Sequence, residues 1–251
     1  MEHSVPEMEA GPDAQVRSGL LRVKGSRDVD MLAVQVGVAD GRAATVLAVL
    51  REHGTVQAAT AGADRSEVDT LLSTVDGRRL VVLGDLPGLN RIVLRLLRRD
   101  LLASTEIAAV VDSPQWTRAV GLPADPVAAA RVAATGTPAP LGLIREDQGG
   151  IVLHSATLRP WTGRTLGVRA YVEDAELVNA PVRALTVTPD ADDLAAAVSL
   201  PWPRRGRTLR GRAVTVSCAE ALLTVDGADL PNPRRRATWW FEPARWRLVR
   251  P

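Results

Sequence analysis

Cysteine, histidine and lysine are almost missing from this chain, and each scarcity closes off a kind of chemistry. Cys218 is the only cysteine, so no internal disulfide can form, and a reducing cytoplasm suits the composition. The three histidines, at 3, 53 and 154, have no metal-ligand spacing, and a single thiol cannot complete a zinc site, so any metal is left unknown. No apolar run approaches the ~20 residues of a membrane span. The start lacks the basic and then apolar pattern of a secretory signal. There is no Gly-x-Ser-x-Gly elbow, and His154 and Ser155, as strand neighbours, point to opposite faces rather than forming a nucleophile–base pair. No nucleic-acid module is recognisable, so nucleic acid is not expected as a partner. Lys24 is the sole lysine, and arginine carries the rest of the positive charge, a bias that points to a GC-rich genome before it points to function.

What is present reads as a soluble globular protein. The 251 residues, 46% apolar and 24% charged, allow one large domain or two modest ones with a sizeable core. A net charge of +2 is compatible with an anionic partner but does not require one.

The organising stretch runs from Val81 to Val93. A short apolar run ends at Gly84, then Asp85-Leu86-Pro87-Gly88 follows, then a helix over Leu89 to Leu102 with apolar positions 89, 92, 93, 96, 97 and 101 on one face. A strand, a tight glycine-bearing loop and a helix aim backbone N–H groups at whatever sits above the strand, often a phosphate. The plainer alternative is an ordinary strand-to-helix turn, since the two glycines match neither the Walker loop nor the dinucleotide fingerprint.

Residues 1–27 are polar and unpatterned and are expected to form a flexible arm. Strands are expected at Met31–Val38, Thr55–Ala59, Leu80–Leu83 and Ile107–Val111, alternating with helices at Ala43–His53, Ser66–Val75 and Leu89–Leu102. That alternation implies parallel strands with right-handed crossovers, and so a three-layer α/β unit over residues 28–136. Asp125 and Pro126 open a further helix to Thr135, ended by Gly136, and Thr137-Pro138-Ala139-Pro140 reads as a hinge. Residues 137–251 then change period. Short β-like runs at 151–158, 166–172, 182–187, 213–217, 221–225, 238–241 and 245–249 predict a mostly antiparallel β domain, and Leu194 to Val198 is too short to assign.

The stretch from Gly84 to Val93 resembles the phosphate loop of the diacylglycerol kinase family, Gly-Gly-Asp-Gly-Thr-Leu-Asn followed by an apolar helix. Gly84, Leu89, Asn90, Ile92 and Val93 match it. Trp116 to Pro123, with Asp125-Pro126 and the helix after it, is similar to that family's Phe-Ala-Arg-x-Leu-Gly-Leu-Pro segment. Ala213 to Val216 and Thr224 to Gly227 resemble its late strand pair ending in Asp-Gly-Glu, and Trp246 to Pro251 its last strand. The resemblance covers roughly residues 28–251 and implies the two-domain fold shared by diacylglycerol kinases and NAD kinases. It also implies transfer of phosphate from ATP, with magnesium, to a lipid hydroxyl. On that pattern Gly84, Asp85, Gly88 and Asn90 would form the nucleotide-binding loop and Asp226 would be the base. Read from the residues alone, Asp226-Gly227 is also a plain hairpin turn.

The chain departs from the pattern at each catalytic point. Asp85 replaces a glycine, Leu86 the aspartate, Pro87 a glycine with loss of an N–H, and Gly88 the threonine. The family's Gly-Thr-Gly-Asn loop is replaced by the glycine-free Asp112-Ser113-Pro114-Gln115, and Ala228 takes the place of the glutamate. Arg204, Arg205, Arg207, Arg210 and Arg212 form a basic stretch with Trp202 beside it. That stretch reads either as a solvated loop or as a surface for an anionic lipid, nucleotide or membrane.

The leading expectation is a cytoplasmic protein of the lipid-kinase fold with a degenerate ATP site, binding a lipid, nucleotide or protein partner without catalysis. One alternative is an active ATP- and magnesium-dependent lipid kinase using Asp85 and Asp226. Another is a module at the periphery of an anionic membrane. No cofactor is certain, and oligomeric state is not indicated.

Overall fold

The computed structural model describes residues 29–36, 41–61, 65–201 and 205–251. The arm expected at 1–27, Trp202 and Arg204 lie outside them.

The first region alternates as the periodicity implied. It comprises β1 (Met31–Gln35), α1 (Arg42–Arg51), β2 (Val56–Thr60), α2 (Arg65–Leu72), β3 (Arg79–Gly84), α3 (Leu86–Arg98) and β4 (Glu106–Val111). β1 pairs in parallel with β2 and β3, and β3 with β4. Side chains alternate across this sheet. Leu32, Val34, Leu80 and Val82 face a core containing Val68 and Leu72 of α2 and Leu89, Ile92, Val93 and Leu96 of α3. Met31, Ala33, Val81 and Leu83 face Val46, Val49 and Leu50 of α1 and Ala130, Ala133 and Ala134 of α5 (Pro126–Thr135). Both faces are covered, which gives the three layers. Each fully buried Leu, Ile or Val contributes ~1.5–3 kcal/mol, so α3 is held mainly by its apolar stripe.

α3 starts three residues before the expected Leu89. Asp85 is its N-cap, accepting the Gly88 N–H at 2.7 Å, and Pro87 sits in the first turn, where a missing N–H costs nothing. The stretch expected as a loop is therefore the opening of the helix. A short α4 (Pro114–Ala119) follows β4, and α5 is capped by Asp125, which accepts the Ala128 N–H at 2.8 Å.

The second region is antiparallel: β5 (Thr137–Glu146), β6 (Ile151–Val152), β7 (Ala156–Pro160), β8 (Leu166–Val172), β9 (Ala175–Val182), β10 (Ala184–Asp190), β11 (Asp193–Ser199), β12 (Arg207–Gly211), β13 (Ala213–Val225), β14 (Ala228–Asp229) and β15 (Arg234–Arg250). The unassigned Leu194–Val198 is the body of β11. Alanines at 195, 196 and 197 blur its in–out alternation, although Leu194, Ala196 and Val198 are buried. The hinge expected at 137–140 is the first part of β5. It pairs only with β15 there, so Pro138 and Pro140 lie on an edge, where a strand tolerates proline.

β15 joins the two regions. Its early residues pair with β13, and Arg247 and Leu248 pair in parallel with Glu106 and Ile107 of β4. The strand order is β12-β11-β10-β7-β13-β15-β4-β3-β1-β2.

Candidate functional site

At the carboxyl end of β3 the chain is drawn tight. Gly84 has φ +142°, and a Cβ there would lie 2.0 Å from the Val36 carbonyl oxygen. A Cβ on Gly88 would lie 2.4 Å from Val36 Cγ2. Both glycines thus make room for Val36, which is buried at the end of β1 and donates its N–H to Leu83 O at 2.8 Å. At the helix opening, Pro87 has no N–H, Gly88 gives its own to Asp85 Oδ1, and Leu89 gives its own to Asp85 O at 3.1 Å. Three of the first four helical positions therefore offer no N–H outward. The carboxylate of Asp85 takes up the positive end of the helix. Leu86, where the family pattern has an aspartate, points into the core.

Asn90, one turn further along α3, meets Asp226 from the other end of the sequence. Asp226 and Gly227 have φ +50° and +93°, the signs of a type I′ hairpin turn, and they join β13 to β14. The side chain of Asp226 does not point to solvent, and the residue is only 2% exposed. Its Oδ2 accepts from Asn90 Nδ2 at 2.5 Å and from the Leu153 N–H at 2.9 Å. Its Oδ1 accepts from the N–H groups of His154 at 2.8 Å and Ser155 at 3.0 Å. Three successive backbone N–H groups form a concave nest of the kind that holds anions, and here the nest holds the chain's own carboxylate. Asn90 Nδ2 also donates to Ile151 O at 2.9 Å. Burial holds the Asp226 carboxyl above the usual carboxylate range, against the opposing pull of the Leu153, Asn90, Ser155 and His154 donors.

The stretch Asp112-Ser113-Pro114 leads into α4, whose Trp116 is fully buried. With Gly84, Gln35, Arg42 and Thr117 it lines a cavity of about 60 Å³ above the ends of β1, β3 and β4. Arg42 and Asp112, both largely exposed, stand 3.9 Å apart beside it. Carboxyl ends of parallel strands are where open α/β sheets bind ligands. A volume of that size admits a few waters, whereas ligand pockets run to ~300–1,000 Å³.

The structure brings Asn90 and Asp226 together, and it places Gly84, Asp85 and Gly88 at the strand end and helix start just before Asn90. The basic stretch is elsewhere, at the opposite end of the strand order. Arg207 donates to Glu176 O at 2.8 Å, Arg210 pairs with Asp190, and the Arg212 N–H donates to Glu173 Oε1 at 2.8 Å; Arg205 is exposed. Arg207 and Arg210 stand on opposite faces of β12, the edge strand. Charges there discourage edge-to-edge pairing with another chain. Nothing local in the sequence links the nest at 153–155 to Asp226, so it carries no signature there. Gln35 and Arg42 were also missed, though each flanks the join between a strand end and a helix start.

Among the described residues, no group of three or more His, Cys, Asp or Glu is placed to hold a metal ion, and no helix is long and apolar enough to cross a membrane.

No protein-family model matches the chain, and no curated protein matches it. Solved structures do. A diacylglycerol kinase from Bacillus anthracis str. Sterne superposes with a TM-score of 0.68 at 12% identity, over 89% of this chain and 97% of that one. An NAD kinase from Archaeoglobus fulgidus, in complex with ATP, gives 0.57 at 11% identity over 88% and 93%. Yeast NADH kinase, complexed with NADH, gives 0.55 at 9% identity over 90% and 84%. At these identities the likeness is one of fold. The chain has the diacylglycerol kinase and NAD kinase-like fold, with a parallel α/β region followed by an antiparallel β region.

Proposed function

We propose that this protein is a non-catalytic counterpart of the lipid kinases, one that keeps their fold to bind a ligand or partner rather than to transfer phosphate. The observation that carries this reading is the state of Asp226. A base must offer a lone pair to an incoming hydroxyl, and phosphoryl transfer needs that base beside a phosphate cradle. Both Asp226 oxygens already accept two N–H donors each, in a place closed to solvent. The residues around Gly84 do not fit a triphosphate either. Val36 fills the space that the glycines leave, Pro87 lacks a donor, and the Asp85 carboxylate would repel a phosphate.

The Archaeoglobus relative in fold holds ATP and the yeast one NADH, so nucleotide binding is the property to test. Titration calorimetry with ATP and magnesium should show no saturable heat up to about 5 mM, and the melting temperature should not rise. A coupled transfer assay with diacylglycerol at high enzyme concentration should give no turnover. Saturable ATP binding together with turnover that Asp226→Ala abolishes would replace this reading with an active lipid kinase.

A further inference from the structure

A larger cavity lies among the described residues at the other end of the parallel strands. β1, β3 and β4 begin on a hollow of about 790 Å³, walled by Val29 and Asp30, Arg78 and Arg79, Ser104 to Glu106, the ends of α2 and α3, and Arg247 from β15. That volume lies within the range of small-molecule sites. Among the lining side chains are four arginines, at 78, 79, 99 and 247, and three carboxylates, at 30, 76 and 106.

Their partners divide them. Arg79, 8% exposed, is fully engaged: it donates to Ala133 O at 2.9 Å, to Ala134 O at 2.8 Å, and through Nε and Nη2 to Glu106 Oε2 at 3.3 and 3.2 Å. It closes the end of α5 and needs no ligand. Arg78 is held by Gln57 Oε1 at 2.5 Å and stands 3.9 Å from Asp30. Among the described residues Arg247 meets one carboxylate, that of Glu106, whose Oε1 lies 3.8 Å away while Arg79 holds the other oxygen, Oε2. Arg99 donates to the neutral carbonyl of Asp69 at 2.5 Å and has no carboxylate partner among the described residues. On one cavity, then, Arg99 has no carboxylate among the described residues and Arg247 shares Glu106 with Arg79, while the remaining acid, Asp76, sits on an exposed turn. Helix capping explains Arg79, but it does not explain Arg247, which comes from a strand.

We propose that this amino-edge cavity binds a small anion bearing a phosphate or carboxylate group, engaged by Arg99 and Arg247. Planar guanidinium forks suit both groups through charge-assisted bonds, and because Arg99 and Arg247 are exposed, salt should weaken those bonds. The site is separate from the carboxyl edge and does not depend on whether that edge binds ATP.

The test is calorimetric titration of the full chain at low salt with inorganic phosphate and, separately, with succinate. Saturable binding of at least one is expected, weakened about tenfold or more by Arg247→Ala and by Arg99→Ala. It should be unchanged by Arg235→Ala, a surface arginine paired with Glu220 well away from the cavity. Arg99→Lys should recover part of the affinity. Phosphate alone would assign phosphate-bearing ligands to the cavity, and succinate alone carboxylates. Absence of saturable binding up to about 10 mM, or binding that survives both alanine substitutions in variants melting like the parent, would overturn the proposal.

Discussion

At the carboxyl end of β3, the glycines, the helix terminus and Asp226 are all engaged by the protein itself. Val36 fills the space above Gly84 and Gly88, Asp85 takes the helix terminus, and Asp226 lies in the nest at 153–155. At the amino end of the same strands the walls stand apart, and of the two arginines that face the hollow Arg247 shares a carboxylate and Arg99 has none among the described residues. The open α/β layout favours ligands at the carboxyl end, yet here the room is at the other. A fold therefore sets where strands end. A few side chains then decide whether a strand end is a site or a seam.

Substitutions should separate the seam from the hollow by their effect on stability. Asp226→Ala strips the acceptor from three backbone N–H groups and the Asn90 amide, all sheltered, and should cost about 3–5 kcal/mol in urea unfolding. Gly84→Ala forces a methyl against the Val36 carbonyl at a positive φ and should cost about 3 kcal/mol, read in the same way. Asn90→Ala removes a bond to a carboxylate and one to Ile151 O and should cost about 2 kcal/mol. Arg99→Ala, on the open side, should stay within about 0.5 kcal/mol of the parent. If Arg99→Ala destabilised as much as Asn90→Ala, the amino edge would be a second seam and the contrast would fail. A smaller effect concerns reactivity. Burial pushes the Cys218 thiol up to about 11, so alkylation should be slow at pH 8 and quicken as pH rises toward that value, followed by mass spectrometry.

The first region was largely legible because doubly covered strands read as apolar runs and its helices carry a 3.6-residue stripe, as at Leu89, Ile92, Val93 and Leu96. β11 was not, because alanine suits either face of a sheet. The start of α3 was missed because proline and glycine in a window signal a turn, whereas in the first turn of a helix neither is disruptive. The glycines at 84 and 88 make room for a close approach, that of Val36. Sequence could not say what approaches, since a phosphate and a valine from β1 demand the same missing Cβ. The meeting of Asn90 with Asp226 has no local signature, because the nest that completes it is built from backbone N–H groups, which every residue but proline possesses.

The placement of β15 bears on how the molecule assembles. Leu248 lies beside Ile107, and between them in the sequence runs almost the whole antiparallel region. Closing so long a loop costs entropy before any contact repays it, and contacts this remote in sequence slow folding. Because one strand is shared by the parallel and antiparallel regions, the two should melt as one cooperative unit despite their different architectures.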